Sequence, residues 1–139
     1  MVHRDVVAAK VGRARGWLTD CAAAFSEPVG TFVQDRARRD LALFYLFLAM
    51  QECIDIAAHW VADEGWGDAD EAGSAFDILA DHAVISRHTA TALRAAAGLR
   101  NRIAHGYAML EHQRIHAEAQ GGIPALRTFL AAVSSAAGC

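Results

Sequence analysis

The residues from 41 to 50 read Leu-Ala-Leu-Phe-Tyr-Leu-Phe-Leu-Ala-Met, which is the most apolar run in the chain. Gln51 and Glu52 end the run at once, and ten residues are too few for a helix to cross a bilayer. A helix that is apolar on every side must be covered on every side. The run therefore predicts the central helix of a bundle. Since 139 residues cannot easily wrap one helix completely, the surplus also favours a homodimer seam, with the central helix of a monomer as the alternative.

The composition favours an all-α protein with a single domain over residues 1–139. Hydrophobic residues make up 54% of the chain, only two prolines occur, and alanine is abundant. A net charge of -3 argues against binding nucleic acid through bulk charge, although a local basic patch remains possible. Cys21, Cys53 and Cys139 lack the spacing of a disulfide framework or zinc knuckle, and the N-terminus does not resemble a signal peptide. We expect Cys21 and Cys53 to be buried, Cys139 to be exposed, and the protein to be cytoplasmic with no membrane contact.

Hydrophobic spacing of three and four residues predicts an up-and-down bundle of four or five helices. The predicted helices cover residues 2–25, 32–63, 70–80, 86–105 and from 111 onwards. No stretch of convincing length alternates with the period of a β-strand.

Local signals place the ends of these helices. Either Thr31 or Asp35 is suited to cap the second helix, and Ser86 is suited to cap the fourth. Gly106 occupies the usual position of a glycine after a helix C-terminus. The pair Gly121-Gly122, together with Pro124, is expected to interrupt the last helix.

The segment Arg100-Asn101-Arg102-Ile103-Ala104-His105-Gly106-Tyr107 carries the densest set of reactive side chains in the chain. On an ideal helix Arg100 and His105 point about 140° apart, whereas Asn101 and His105 share a face. Convergence of Arg100 with His105 requires the arginine to curl back, the helix to loosen at Gly106, or a second copy of the segment across a dimer. The alternative is an ordinary helix end, with His105 near the negative end of the helix dipole and solvated arginines.

Two other pairs of residues, each with at least one histidine, have helical spacing. Asp55 and His59 are four apart and are secondary candidates for the site, or else a polar pair that satisfies itself. His112 and His116 share a face, but Gln113 stands where a zinc peptidase helix needs glutamate, so surface histidines are expected. A metal-binding bundle that uses His59, His112 and His116 is a further possibility.

The central segment resembles the signature of HepT-like toxins in the HEPN superfamily, which is Arg-x4-His followed after one residue by Tyr. Arg100, His105 and Tyr107 match this signature, and Asn101 matches the polar residue that usually follows the motif arginine. The order of helices, including residues 51–57 of the long second helix, extends the resemblance over about residues 2–110. The last thirty residues match less distinctively, which leaves the partner surface there open.

The resemblance implies a HEPN-like bundle that dimerises and brings two motifs into one cleft. Such proteins are metal-independent endoribonucleases, which suggests that Arg100 and His105 are catalytic. Arg100 would hold the RNA phosphate, and His105 would take or give the proton when a 2′-hydroxyl attacks that phosphate. Asn101 and Arg102 would support the site.

The resemblance also implies a partner, a minimal nucleotidyltransferase antitoxin that transfers AMP to the motif tyrosine, here Tyr107. The partner would use ATP and Mg, so no cofactor and no metal site are expected in this chain. Adding a phosphate and a nucleotide two residues from His105 would fill the site and repel RNA. The alternative is a non-catalytic helical subunit that docks a nucleotidyltransferase and presents a substrate to it.

Overall fold

The computed structural model describes residues 2–68 and 73–139. The described chain is helical, with a 3-10 turn at Tyr107–Met109 between the last two helices and no strand in these two ranges. The helices are α1 (Arg4–Ser26), α2 (Val29–Gln34), α3 (Arg36–Glu64), α4 (Ser74–Asp81), α5 (Arg87–Gly106) and α6 (His112–Ala137). The all-α class and the bundle architecture predicted from the sequence are confirmed.

Helix α3 is the central element, because it contacts all five other helices. Its length and composition would suit a membrane span, but half of its most apolar window is buried inside the bundle. Leu41 and Phe44 nevertheless stay 51% and 53% exposed. One chain therefore leaves the first half of the apolar run incompletely covered, as expected for a chain of 139 residues. The homodimer seam stays a prediction.

The start of the predicted second helix is wrong. A short helix, α2, comes first, and the chain then breaks at Asp35, where φ and ψ are -84° and 80°. The Asp35 carboxylate accepts a hydrogen bond from the backbone N–H of Arg38 (3.2 Å), so Asp35 rather than Thr31 caps α3. Ser86 caps α5 as predicted, since its hydroxyl accepts from the N–H of Thr89 (3.0 Å). The predicted start of the third helix at Asp70 lies outside the described residues.

The predicted interruption of the last helix is also wrong, because α6 runs unbroken through Gly121, Gly122 and Pro124. Proline costs the helix one backbone hydrogen bond. That cost is offset by the side of α6 that faces the core, where Leu126 and Phe129 are fully buried. Burial of this stripe outweighs the local preference of glycine and proline against helix.

Gly106 does not form the expected cap. Its φ is -128°, and the chain continues into the 3-10 turn rather than reversing in the left-handed conformation. Gly65 and Gly138, with φ of 71° and 73°, are the glycines that end helices in that way.

The interior is built from aliphatic and aromatic side chains of every helix. Phe76 of α4 packs edge-on against Phe129 of α6, with ring centroids 5.3 Å apart.

Cys21 and Cys53 are buried and Cys139 is exposed, as predicted. Burial raises the pKa of the Cys21 thiol to about 11 and also raises the pKa of the Cys53 thiol, so both behave as small apolar side chains.

Candidate active site

The last two turns of α5 present the polar residues of the motif at the surface. Leu99 and Ile103 face the core and are buried, which fixes the rotation of the helix about its axis. Asn101 and His105 consequently lie on the exposed side, and Tyr107 follows in the 3-10 turn with its ring about half exposed.

Arg100 is held across α3 rather than toward His105. Its Nε donates to Oε1 of Gln51 (2.8 Å), and its Nη1 donates to Oδ1 of Asn101 (2.9 Å). Its guanidinium carbon lies 5.2 Å from the centroid of the Phe47 ring, within range of a cation–π contact. Within residues 2–68 and 73–139, Nη2 of Arg100 has no hydrogen-bond acceptor.

Arg100 and His105 do not converge within one chain. The arginine does not curl back, and the α-helix does not loosen before Gly106. Of the three routes to convergence, the structure does not use the first two; a second copy across a dimer stays a prediction, and an ordinary helix end stays the alternative. Asn101 bonds to Arg100 rather than to His105, so in this structure it helps to fix the arginine.

Arg102 belongs to the scaffold in this structure. Its Nη2 donates to both carboxylate oxygens of Glu118 on α6, each at 2.8 Å. Two helical positions turn a side chain by about 200°, so Arg102 leaves the axis on the side opposite to Arg100. The expectation that Arg102 supports the site is not matched by its contacts.

The predicted pair of Asp55 and His59 does not form. His59 is exposed, and Asp55 instead accepts a hydrogen bond from Nε2 of Gln51 (3.0 Å). Lys10 of α1 lies 4.0 Å from the same carboxylate. Asp55 is therefore linked to Arg100 through Gln51, a residue that the sequence had not assigned to the site. The spacing of four between Gln51 and Asp55 was the available signal.

Tyr107 opens into a groove between α3 and α5 that is also lined by Asp40, Phe44 and Phe47. Partial burial of its phenol raises the pKa of Tyr107, and the charge of Asp40 and a hydrogen bond to it raise the pKa further. The positive charge of Arg39 opposes this shift. The phenol is therefore protonated at neutral pH and has a carboxylate beside it, a contact that no local sequence pattern indicates.

The histidines of α6 are not simply surface residues. Nε2 of His116 donates to the carbonyl oxygen of Glu27 (2.7 Å), and its ring packs against two phenylalanine rings. Partial burial lowers the pKa of His112, and a nearby arginine lowers it further. Among the described residues no three histidine, cysteine or acidic side chains gather as metal ligands. The possible metal site of His59, His112 and His116 is therefore not assembled.

The fold and this segment together define a helical bundle of the HEPN type, with an Arg-x4-His-x-Tyr motif that begins in the last turns of α5 and ends in the 3-10 turn. The family model "Ribonuclease HepT-like" matches residues 20–133, so the chain belongs to the HepT-like ribonuclease family. No curated protein sequence matches significantly.

Solved structures share the fold at low sequence identity. One is the tri-AMPylated HEPN toxin of Shewanella oneidensis in complex with MNT antitoxin, with a TM-score of 0.84 and 21% identity over 94% of this chain and 98% of that chain. Another is an MntA–HpeT toxin–antitoxin complex that carries a tyrosine-to-alanine substitution, with a TM-score of 0.84 and 20% identity over the same shares. A third is YutE, a cytosolic protein of unknown function from Bacillus subtilis, with a TM-score of 0.72 and 18% identity over 92% of this chain and 88% of that chain.

Proposed function

We propose that this chain is a metal-independent endoribonuclease and the toxin of a toxin–antitoxin pair. The observation that carries the proposal is the state of Arg100, which is anchored through Nε and Nη1, while Nη2 has no acceptor among the described residues. An anchored guanidinium with open donors suits a phosphate oxygen better than a mobile one does, because less side-chain entropy is lost on binding.

The chemistry requires a proton carrier and a positive charge, but no metal. The RNA 2′-oxygen attacks the adjacent phosphorus, the bond from phosphorus to the 5′-oxygen breaks, and a 2′,3′-cyclic phosphate forms. His105 is the exposed imidazole of the motif, and imidazole is the side chain best suited to move protons near neutral pH. Arg100 stabilises the negative charge that builds on the phosphate oxygens.

The complete site requires two chains. Arg100 and His105 are turned away from each other in one chain, so the arginine of one protomer acts with the histidine of its partner. Leu41 and Phe44 support this arrangement, because they leave an apolar surface on α3 beside the motif groove. The homodimer thus explains both the exposed surface and the split motif.

Tyr107 is the proposed switch. A minimal nucleotidyltransferase antitoxin, using ATP and Mg, transfers AMP to its exposed phenol, while this chain itself needs no cofactor. The tri-AMPylated state of the Shewanella toxin supports this proposal. A nucleotide on Tyr107 adds bulk and negative charge two residues from His105, which excludes RNA. The pair acts in the cytoplasm, the compartment of the similar YutE protein.

The decisive experiment uses purified protein and labelled RNA in the presence of EDTA. The wild type is expected to cleave the RNA and leave 2′,3′-cyclic phosphate ends, whereas His105→Ala and Arg100→Ala are expected to leave it intact. His59→Ala is the matched control, since His59 is exposed on α3 and the described residues give it no hydrogen bond to the motif.

A wild-type protein that leaves RNA intact would overturn the catalytic proposal. In that case the protein would be a non-catalytic subunit that docks a nucleotidyltransferase, because that function needs the same fold and the same exposed tyrosine. Incubation with the nucleotidyltransferase and ATP should then still add the mass of AMP at Tyr107 and not in a Tyr107→Phe variant.

A further inference from the structure

A continuous line of polar side chains crosses the bundle from α1 through α3 to α5 and ends at Arg100. Lys10 lies 4.0 Å from Oδ2 of Asp55, Asp55 accepts from Gln51, and Gln51 accepts from Arg100. Arg13 and Lys10 also pair with Glu52, at 2.8 Å and 3.7 Å.

The orientation of the Gln51 amide is fixed by its two neighbours. Arginine has only donors, and an ionised carboxylate has only acceptors. Gln51 must therefore turn its oxygen to Arg100 and its nitrogen to Asp55, and the two hydrogen bonds of 2.8 Å and 3.0 Å agree with this assignment. The carboxylate of Asp55 excludes the flipped amide, which would set two donors against each other.

The charges in this line are unevenly balanced. Lys10 and Arg13 neutralise Glu52 and Asp55, which leaves the guanidinium of Arg100 as the surplus positive charge. The two residues that accept hydrogen bonds from Arg100, Gln51 and Asn101, are both neutral. A glutamate at position 51 could form a similar hydrogen bond, but it would cancel the charge that a phosphate needs.

We propose that Gln51 is a positioning residue for Arg100, oriented by Asp55, and that its neutrality keeps the guanidinium charge available for an RNA phosphate. This role rests on the proposed ribonuclease function. Both polar atoms of the Gln51 side chain are engaged, one by Arg100 and the other by Asp55, so Gln51 acts through Arg100.

The test compares two substitutions with opposite electrostatic effects. Gln51→Leu removes the anchor and is expected to lower kcat about 10- to 100-fold, because a catalytic group is misplaced. Gln51→Glu keeps a hydrogen bond but neutralises the site, so KM should rise and the dependence of KM on salt should weaken. Gln113→Leu on the exposed side of α6 is the matched control and should change neither constant.

A spectroscopic measurement separates this inference from the proposed function. The Nε–H of Arg100, assigned by its loss in Arg100→Lys, should give an NMR signal protected from exchange in the wild type. The signal should lose its protection in Gln51→Leu and partly lose it in Asp55→Asn. If Gln51→Leu does not fold, the nearly isosteric Gln51→Glu, together with Asp55→Asn, carries the test.

Each outcome decides a different point. A protected signal that is unchanged in Gln51→Leu overturns the positioning role, whether or not the protein cleaves RNA. Loss of protection with unchanged kcat and KM overturns it as well. If the wild type cleaves no RNA, the ribonuclease proposal fails, while the response of the Arg100 signal still decides whether Gln51 holds the arginine.

Discussion

Replacing Arg102 with alanine should destabilise the bundle without removing a reactive group. Arg102 joins the end of α5 to α6 by two charge-assisted hydrogen bonds of 2.8 Å to Glu118. Arg114 lies 3.9 Å from the same carboxylate and offers a weaker second partner. The substitution therefore tests whether Arg102 belongs to the scaffold or to the site.

The expected magnitude follows from the exposure of the pair. Hydrogen bonds to charged groups contribute roughly 1.5–3 kcal/mol when well buried, and exposed ion pairs contribute about 0.2–1 kcal/mol. The two side chains are 37% and 36% exposed, which places the pair between these limits but nearer the lower one. We expect Arg102→Ala to lower the free energy of unfolding by about 1 kcal/mol, equivalent to a fall in Tm of about 4 °C for a chain of this size.

The assay is urea unfolding of Arg102→Ala, Glu118→Ala and the double variant. The double variant should lose little more than either single one, giving a coupling free energy of about 1 kcal/mol. Arg36→Ala is the control, because its side chain is 87% exposed and pairs only with Asp40 at 3.9 Å among the described residues. A coupling free energy near zero would refute a stabilising role for the contact between Arg102 and Glu118. Loss of RNA cleavage at unchanged stability would instead indicate that Arg102 is part of the active site.

Three further predictions concern the switch tyrosine, the core and the apolar surface. Asp40→Asn should lower the pKa of Tyr107 in an NMR titration, because a carboxylate beside the phenol raises it. Since the pKa of the folded state is raised, the associated stability is complete below the pKa of the unfolded tyrosine, about 10, and is lost as the pH rises through the folded value. An unchanged pKa of Tyr107 in Asp40→Asn would contradict the hydrogen bond between these two side chains. Phe76→Ala should lower the free energy of unfolding by about 3–5 kcal/mol, because the ring is fully buried against Phe129; a loss below about 1 kcal/mol in chemical denaturation would be inconsistent with this packing. Phe44→Asp should leave stability nearly unchanged but shift the sedimentation mass toward the 14.9 kDa of one chain, and a wild-type mass already at that value at micromolar concentration would end the dimer proposal.

Local sequence patterns were sufficient for most helices and for the cap at Ser86, because these depend on neighbours within four residues. They failed at Gly121, Gly122 and Pro124, where burial of one face of α6 against the rest of the bundle outweighs local propensity. That contribution comes from distant residues and leaves no mark in the segment itself.

The candidate site was also predictable where it depends on nearby residues and unpredictable where it depends on distant ones. The motif was visible in the sequence, and Arg100 bonds to Gln51 and Asn101 rather than curling back, which agrees with the helical geometry. The partner of Arg100 was not assigned, because Gln51 lies 49 residues earlier in the chain. Asp40 was missed for the same reason, since only the packing of α3 against α5 brings it to Tyr107.

The boundary at Gly106 divides the motif into two parts with different tolerance to sequence change. Arg100 is fixed by a helix with a buried face, whereas Tyr107 and Met109 lie in a short exposed turn and contribute little to the core. Substitutions in the turn should leave the bundle and Arg100 unaltered. Evolution, or an engineer, could therefore remove or redesign the proposed control through Tyr107 without rebuilding the part of the protein that would act on RNA.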